Sequence, residues 1–150
     1  MNDRKVPKTL SKSRFALALE CPRKLAYVAD EQYVNAKRDD DFLSALAEYG
    51  HQVGSLAKLM YPEGIEIVDA SIDEQVRQTE HLLQRENVVI FEATFRHGAL
   101  IARIDILVKR LSLVHLVEVK SKKFAAGADS FWGKKSLLSE WRPYLCDVAF

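Results

Sequence analysis

The sequence lacks the features that mark secreted, membrane-spanning and cluster-bearing proteins. Cysteine occurs only twice among 150 residues, at Cys21 and Cys146. Two distant thiols are fewer than the four ligands of a usual iron–sulfur cluster or thiolate zinc site, and in a cytosolic protein they are more often reduced than bridged. No run of about 18 apolar residues occurs, and the basic N-terminus leads into no secretory apolar segment. We therefore expect a cytoplasmic protein with no membrane partner and no intact iron–sulfur cluster.

A large excess of one charge sign is also missing. The net charge is only +1, so total charge does not indicate a nucleic-acid-binding protein. The basic residues nevertheless fall into two clusters, either of which could line a phosphate track or simply be a solvated surface. The clusters are Arg4, Lys5, Lys8, Lys12, Arg14, Arg23 and Lys24, and then Lys109, Arg110, Lys120, Lys122, Lys123, Lys134 and Lys135.

The remaining composition is ordinary for a folded domain. Hydrophobic residues make up 48% and charged residues 29%, which suits one compact domain with a real core over residues 1–150. Helix and strand patterns both occur along the chain, so we expect an α/β fold. Ser11 or Ser13 can cap an N-terminal helix that bends at Cys21-Pro22. The last apolar stretch stops at Phe150 without a helix cap, so we expect the domain to be incomplete at its C-terminus.

A long amphipathic helix is predicted from about Asp40 to Met60. Its apolar residues step by three and four along one stripe, from Phe42 to Met60. His51 lies about 180° from Phe42 at roughly 100° per residue, on a side of small residues. A solvated histidine is the simplest interpretation, but small neighbours would also let a ligand or another element approach. Those neighbours are Ser44, Ala47, Gly54 and Ser55.

The stretch from Ala99 to Lys123 predicts two neighbouring strands separated by a polar break at 109–112. Because side chains alternate along a strand, we expect Arg103 and Asp105 on one face and Ile104 with Ile106 on the other. Asp105 would then be a carboxylate set among apolar neighbours.

The second of these strands carries Glu118 and Lys120, which are also two residues apart. A buried charge is normally paired, neutralised or bound to a metal. Asp105, Glu118 and Lys120 together form the D…(D/E)xK pattern of metal-dependent nucleases, although a strand-edge salt bridge would explain the same residues. Glu92, in the preceding predicted strand, could bring a further carboxylate close to Asp105.

Four segments in order, LSKSRF…CPRKLAY, YGHQVG, ARIDIL and LVEVKSKK, span residues 10 to 123. Together they resemble the RecB-like branch of the PD-(D/E)XK nuclease superfamily, which includes the CRISPR-associated adaptation exonucleases. The first two segments look like the N-terminal part of bacterial relatives of unknown function. The resemblance implies a restriction-endonuclease-like core, in which helices flank a central mixed β-sheet, with a helical N-terminal arm.

The resemblance also implies roles for individual residues. His51 would be the helix histidine that binds metal. Asp105 and Glu118 would be the metal-binding catalytic acids, and Lys120 the catalytic lysine. The backbone carbonyl of Val119 would complete the metal site.

Other positions match the family less closely. Glu92 is a loose match to an acid near the metal. Cys21 resembles the first of four iron–sulfur ligands in cluster-bearing members, but the three later cysteines are missing here. Tyr144 is a candidate for a tyrosine that helps to position nucleic acid, and Lys122 and Lys123 are candidate phosphate contacts.

We therefore expect a Mg²⁺- or Mn²⁺-dependent nuclease that hydrolyses phosphodiester bonds, with DNA as its nucleic-acid partner. A divalent ion on oxygen ligands supplies a positioned hydroxide and neutralises phosphate charge. The alternative is a catalytically silent module that keeps the fold and binds nucleic acid or a protein partner. All the expected metal and lysine positions are filled, which argues against loss of activity.

Overall fold

Two long strands form the centre of the fold in the computed structural model, which describes residues 9–28, 30, 32–33, 40–68, 71–121, 145–146 and 149–150. These strands are antiparallel and turn at Gly98, whose φ of +58° suits a residue without a side chain. In chain order the elements are β1 (Leu10–Ser11), α1 (Lys12–Glu20), α2 (Lys24–Val28), α3 (Asp41–Lys58), β2 (Ile65–Glu66), α4 (Ile72–Leu82), β3 (Asn87–His97), β4 (Leu100–Arg110) and β5 (Leu113–Val117).

The sheet is open and mixed. β2 is parallel to β3 and β5 is antiparallel to β4, so the strands that carry or precede Glu92, Asp105 and Glu118 are neighbours, as predicted. Glu118 follows β5 directly and lies just outside it. The expectation of a mixed α/β fold with helices on the sheet and a helical N-terminal arm is therefore confirmed.

Two strands share one edge of β4 and leave a gap between them. β1 pairs in parallel with β4 at Leu100 and Ile101, whereas β5 pairs with the opposite end, from Ile106 to Arg110. Because their directions are opposite, both chains run toward the same unpaired stretch, 102–105. The residues that follow β1 and β5, Lys12 and Glu118, therefore meet at this gap.

Apolar residues cover both faces of the sheet. On one face α4 packs on a cluster that includes Ile90 and Leu107, and on the other the end of α3 packs on a cluster that includes Val89 and Ile106. All four strand residues are at most 1% exposed, so the hairpin is the core of the molecule. Burying such side chains stabilises the fold by about 1.5–3 kcal/mol each.

The alternation of faces shifts in the middle of the hairpin. Ile104 packs with the α4 cluster while Ile106 packs with the α3 cluster, so the prediction that they share a face is wrong. The shift occurs at Asp105, opposite Glu92, whose φ of +59° is in the left-handed region. A left-handed residue turns the chain out of the extended conformation. Beyond this point, the positions that would point to one face of the sheet therefore point to the other, although the pairing register of β3 with β4 continues.

The helix predictions agree in position but not in burial. The Ser11 hydroxyl caps α1, and α3 begins after its cap Asp40, close to the predicted bounds. The apolar stripe of α3 is mostly exposed, with Phe42 at 74% and Leu56 at 64%. Only the C-terminal end of α3 packs on the sheet, because its small-residue side faces the cleft described below. None of the described helices is both long and apolar enough to cross a membrane.

Gly64 and Gly54 provide a matched test of this packing. A Cβ added at Gly64 would overlap the ring of buried Phe91, whereas one added at Gly54 in α3 meets nothing within 4 Å. We expect Gly64→Ala to lower the free energy of unfolding by about 1–3 kcal/mol through overpacking. Gly54→Ala should raise it by about 0.5–1 kcal/mol, because alanine is the better helix former. Urea denaturation of both variants measures this, and equal effects would contradict the packing.

Candidate functional site

A cleft of about 950 Å³ lies between α3 and the gap in the sheet edge. Its walls come from α3, β2 and the residues just after it, α4, the central hairpin and the segment after β5. Six residues singled out from the sequence line it together, although they come from four separate parts of the chain. They are His51, Glu92, Asp105, Glu118, Val119 and Lys120.

Asp105 fixes the chain that leaves β5. Its Oδ2 accepts a hydrogen bond from the backbone N–H of Val119 at 2.7 Å. The β4–β5 ladder ends at Val117, so this bond takes over from strand pairing two residues later. The carboxylate therefore holds Val119, and with it the neighbouring Glu118 and Lys120, against the gap.

Glu118 is the most heavily engaged acid of the cleft. Its Oε1 lies 2.8 Å from the Lys120 Nζ and its Oε2 lies 2.7 Å from the Lys12 Nζ. The Glu118 side chain is only 16% exposed, so both lysines compensate a carboxylate that has lost much of its water. The pair of Glu118 with Lys120 is the strand-edge salt bridge that the sequence allowed. Lys12 was not predicted here.

Glu92 lies directly across the hairpin from Asp105. In the register, Phe91 pairs with Ile106 and the next residue, Glu92, falls opposite Asp105. Its Oε1 is 3.7 Å from the Nζ of Lys58, which also pairs with Glu66, the last residue of β2. Non-glycine residues in the left-handed region cost about 1–3 kcal/mol and concentrate at functional sites.

His51 lines the cleft from the small-residue side of α3, as the helix geometry suggested. His51 is exposed, and no described side chain forms a hydrogen bond with its imidazole. The neighbouring Gly50 and Gly54 leave open space beside it. The imidazole is thus accessible from the cleft as a metal ligand or a proton acceptor.

Arg103 and Gln75 are cleft residues that the sequence analysis missed as a pair. The Gln75 Oε1 accepts from Arg103 Nη2 at 2.8 Å and from Thr94 Oγ1 at 3.2 Å. Thr79 Oγ1 in turn accepts from the Thr94 N–H at 3.0 Å. Through Gln75, α4 therefore positions a guanidinium at the cleft. A glutamine on the buried side of an amphipathic helix was the available signal.

A second groove, of about 710 Å³, meets the cleft at the acidic residues. Both include Arg103, Asp105, Glu118 and Lys120 in their walls. The groove continues along the start of α1, where hydroxyl and cationic groups follow one another. These groups are Thr9, Ser11, Lys12, Ser13 and Arg14. Asp105 and Glu118 therefore lie where the cleft meets a groove whose walls carry the cations Lys12, Arg14 and Arg103.

The donor groups suit a hard divalent ion. Carboxylate and carbonyl oxygens are preferred by Mg²⁺, and an added imidazole favours Mn²⁺. Within the part of the chain that the structure describes, no three His, Cys, Asp or Glu side chains already lie close enough together to hold an ion. Glu118 is directed toward its lysines and Asp105 toward Val119, so ion binding would require the acids to exchange partners.

Four other candidate residues are not among the residues that the structure describes at this cleft. Lys122, Lys123 and Tyr144 lie outside the described residues. Cys21 ends α1, where its N–H donates to the Leu17 carbonyl, and it is not among the described cleft residues. Cys21 and Cys146 are both free thiols.

Comparison with known proteins adds no relative. No protein-family model, no curated protein and no solved structure matches the chain.

Substitutions at Glu92 test its left-handed backbone. Glu92→Gly and Glu92→Ala both remove the carboxylate, so they differ only in what the backbone tolerates. In an ordinary strand, alanine is the more stable of the two by about 0.5–1 kcal/mol. At φ +59° we expect the reverse order, with glycine more stable by about 1 kcal/mol. Paired urea denaturation curves measure the difference, and an alanine variant of higher stability would show that Glu92 is extended.

Proposed function

We propose that this chain is a Mg²⁺- or Mn²⁺-dependent nuclease that hydrolyses phosphodiester bonds in DNA, with a core of the restriction-endonuclease type. The proposal includes the cytoplasmic location expected from the sequence. Its main support is the meeting of Asp105, Glu118, Lys120 and His51 at one cleft. The D…(D/E)xK pattern alone occurs in many unrelated sequences. It is much rarer for the residues of this pattern to share a cleft with a helix histidine.

The ligands proposed for the ion are the carboxylates of Asp105 and Glu118, the His51 imidazole and the Val119 carbonyl. A bound divalent ion lowers the pKa of water and neutralises charge on a phosphate. The bond between Asp105 and the Val119 N–H fixes the peptide that joins Glu118 to Val119, and the Val119 carbonyl belongs to the next peptide along the chain. Glu92 could add a further carboxylate from the opposite strand.

Lys120 is proposed to act on the substrate. Its ammonium is held at the cleft by Glu118 at 2.8 Å, so it is already positioned beside the acids. From there it can orient the attacking water by a hydrogen bond or stabilise the negative charge that develops on the phosphate oxygens. A fixed charge that needs no reorganisation lowers the barrier most effectively.

Cations around the acids would bind the phosphate backbone. Arg103 is fixed by Gln75 and borders both the cleft and the groove, while Arg14 lines the groove along α1. A planar guanidinium suits phosphate because it can donate two parallel hydrogen bonds. A nucleic-acid strand that crosses from the groove into the cleft would therefore bring a phosphate over Asp105 and Glu118.

The silent-module alternative is supported by one observation. Both oxygens of Glu118 already accept from lysines. In the silent module, Glu118 and Lys120 would therefore have a purely structural role as an ion-pair cluster. Metal binding and cleavage distinguish the two functions directly.

Metal-dependent stability tests the proposed ligands. If Asp105 and Glu118 share an ion, Mn²⁺ should stabilise the folded chain by about 2.7 kcal/mol when its concentration is 100 times Kd. Mn²⁺ should have a larger effect than Mg²⁺ because of the imidazole. Asp105→Asn keeps an oxygen that can accept from Val119 and should abolish the gain. Thermal melts with each ion measure this.

The matched control for Asp105 is Asp73→Asn, on the exposed surface of α4, where Asp73 pairs with Arg96. This variant removes one carboxylate and should keep the full gain from Mn²⁺. If wild type gains no stability from either ion and cuts neither single- nor double-stranded DNA, the silent-module function is correct.

Lys120→Ala should separate binding from catalysis. It removes a cation but no metal ligand, so stabilisation by Mn²⁺ should persist. Cleavage should fall by about 10²-fold or more, in the range for losing one stabilising donor. A gel assay of DNA cleavage, run beside the melts on the same preparation, measures both. Unchanged cleavage by this variant would remove Lys120 from the catalytic site.

A further inference from the structure

Lys12 reaches the candidate site because of the sheet topology. β1 ends at Ser11 and runs toward the gap in the β4 edge, so the next residue, Lys12, begins α1 beside that gap. Its Nζ lies 2.7 Å from Glu118 Oε2 and 3.4 Å from the backbone carbonyl of Arg103. That carbonyl belongs to the part of β4 that neither β1 nor β5 pairs with.

The Lys12 contact differs from an ordinary surface ion pair. The side chains of Lys12 and Glu118 are only 19% and 16% exposed, whereas exposed pairs are worth little and exchange freely. With Lys120 on the other oxygen, one carboxylate carries two ammonium groups. The pair therefore places a cation where the proposed ion would have to bind.

We propose that Lys12 is an internal competitor for the divalent ion, occupying Glu118 until the ion displaces it. This inference rests on the proposed function in that it requires a metal on Glu118. The reason is electrostatic: a doubly charged ion on this carboxylate would repel an ammonium less than 3 Å from the same oxygen. Lys12 is the group expected to leave, since it belongs to a different element and has the Arg103 carbonyl as a second acceptor.

The displacement has a consequence for substrate binding. When Lys12 leaves Glu118, its ammonium stays tethered at the start of α1, in the same groove as Arg14 and Arg103. It is then available to a phosphate oxygen in that groove. Metal binding and phosphate binding would therefore be coupled through one side chain, and the groove would become more cationic only when the ion is present.

The test is the affinity of the intact chain for Mn²⁺, measured by calorimetry in wild type and Lys12→Met. If Lys12 occupies Glu118 in most molecules, only the remaining fraction can bind Mn²⁺, and the apparent affinity for the ion falls in proportion to that fraction. Lys12→Met should therefore bind Mn²⁺ about fivefold or more tightly than wild type. Arg14→Met is the matched control: it removes one positive charge from the same groove, but Arg14 donates to Thr9 and not to Glu118. Its affinity should change by less than about twofold, because charges without direct contact are screened.

The outcomes separate this inference from the proposed function. If wild type binds Mn²⁺ and Lys12→Met binds it no more tightly, or no more tightly than Arg14→Met does, then Lys12 is not a competitor although the metal site stands. If wild type and both variants all fail to bind Mn²⁺, the proposed function fails and this inference fails with it.

A second measurement needs no variant, in case Lys12→Met does not fold. Brief acetylation followed by mass spectrometry reports how freely each lysine ammonium reacts. Lys12, paired with Glu118, should react slowly without metal and several-fold faster with saturating Mn²⁺. Lys109, whose ammonium donates to the Leu83 carbonyl at 2.6 Å, is the internal reference and should not change. Unchanged Lys12 reactivity at saturating Mn²⁺ would overturn the inference.

Discussion

The unpaired stretch of the β4 edge determines how the candidate site is built. β1 and β5 approach it from opposite directions and stop short of each other. Backbone groups left without a strand partner need other donors and acceptors. The Lys12 ammonium donates to the Arg103 carbonyl, and Asp105 accepts from the Val119 N–H. Polar side chains thus replace a missing ladder, and the same side chains supply the charges of the site.

This construction explains why Glu118 is both structural and a candidate ligand. A carboxylate at 16% exposure needs compensation, and two lysines provide it. The same desolvation would make a doubly charged ion a strong partner for it. An ion pair and an ion site are therefore alternative ways to satisfy one carboxylate, and their balance depends on which cation is present.

The left-handed residue at Glu92 is the second constraint. It lies opposite Asp105 and coincides with the shift of inward and outward positions in both strands. The strain is tolerated because the register on either side is fixed by the well-buried Ile90, Ala93 and Leu107. Glu92 and Asp105 consequently lie on opposite strands at the point in the hairpin where the regular pleat is interrupted.

Local sequence was sufficient for the longest helix, for the strands β4 and β5 and for part of the site. The 3.6-residue period gave α3 within two residues and put His51 on its small-residue side, because helix geometry depends only on nearby positions. The apolar strand pattern predicted β4 and its neighbour β5, and the spacing of Glu118 and Lys120 allowed their ion pair. Strict alternation failed at Ile104, since no local pattern marks a left-handed glutamate.

The tertiary structure alone decided which distant charges meet. Lys12 and Glu118 are 106 positions apart, and Gln75 and Arg103 are 28 apart, so no spacing rule connects them. Lys12 looked like any member of a basic N-terminal cluster until β1 was paired with β4. The sequence by itself determined the long helix α3, the neighbouring strands β4 and β5 and the residue types that could bind a metal, but not the strand β1. Sheet topology determined their partners, because strand order brings chain segments together without regard to their separation in sequence.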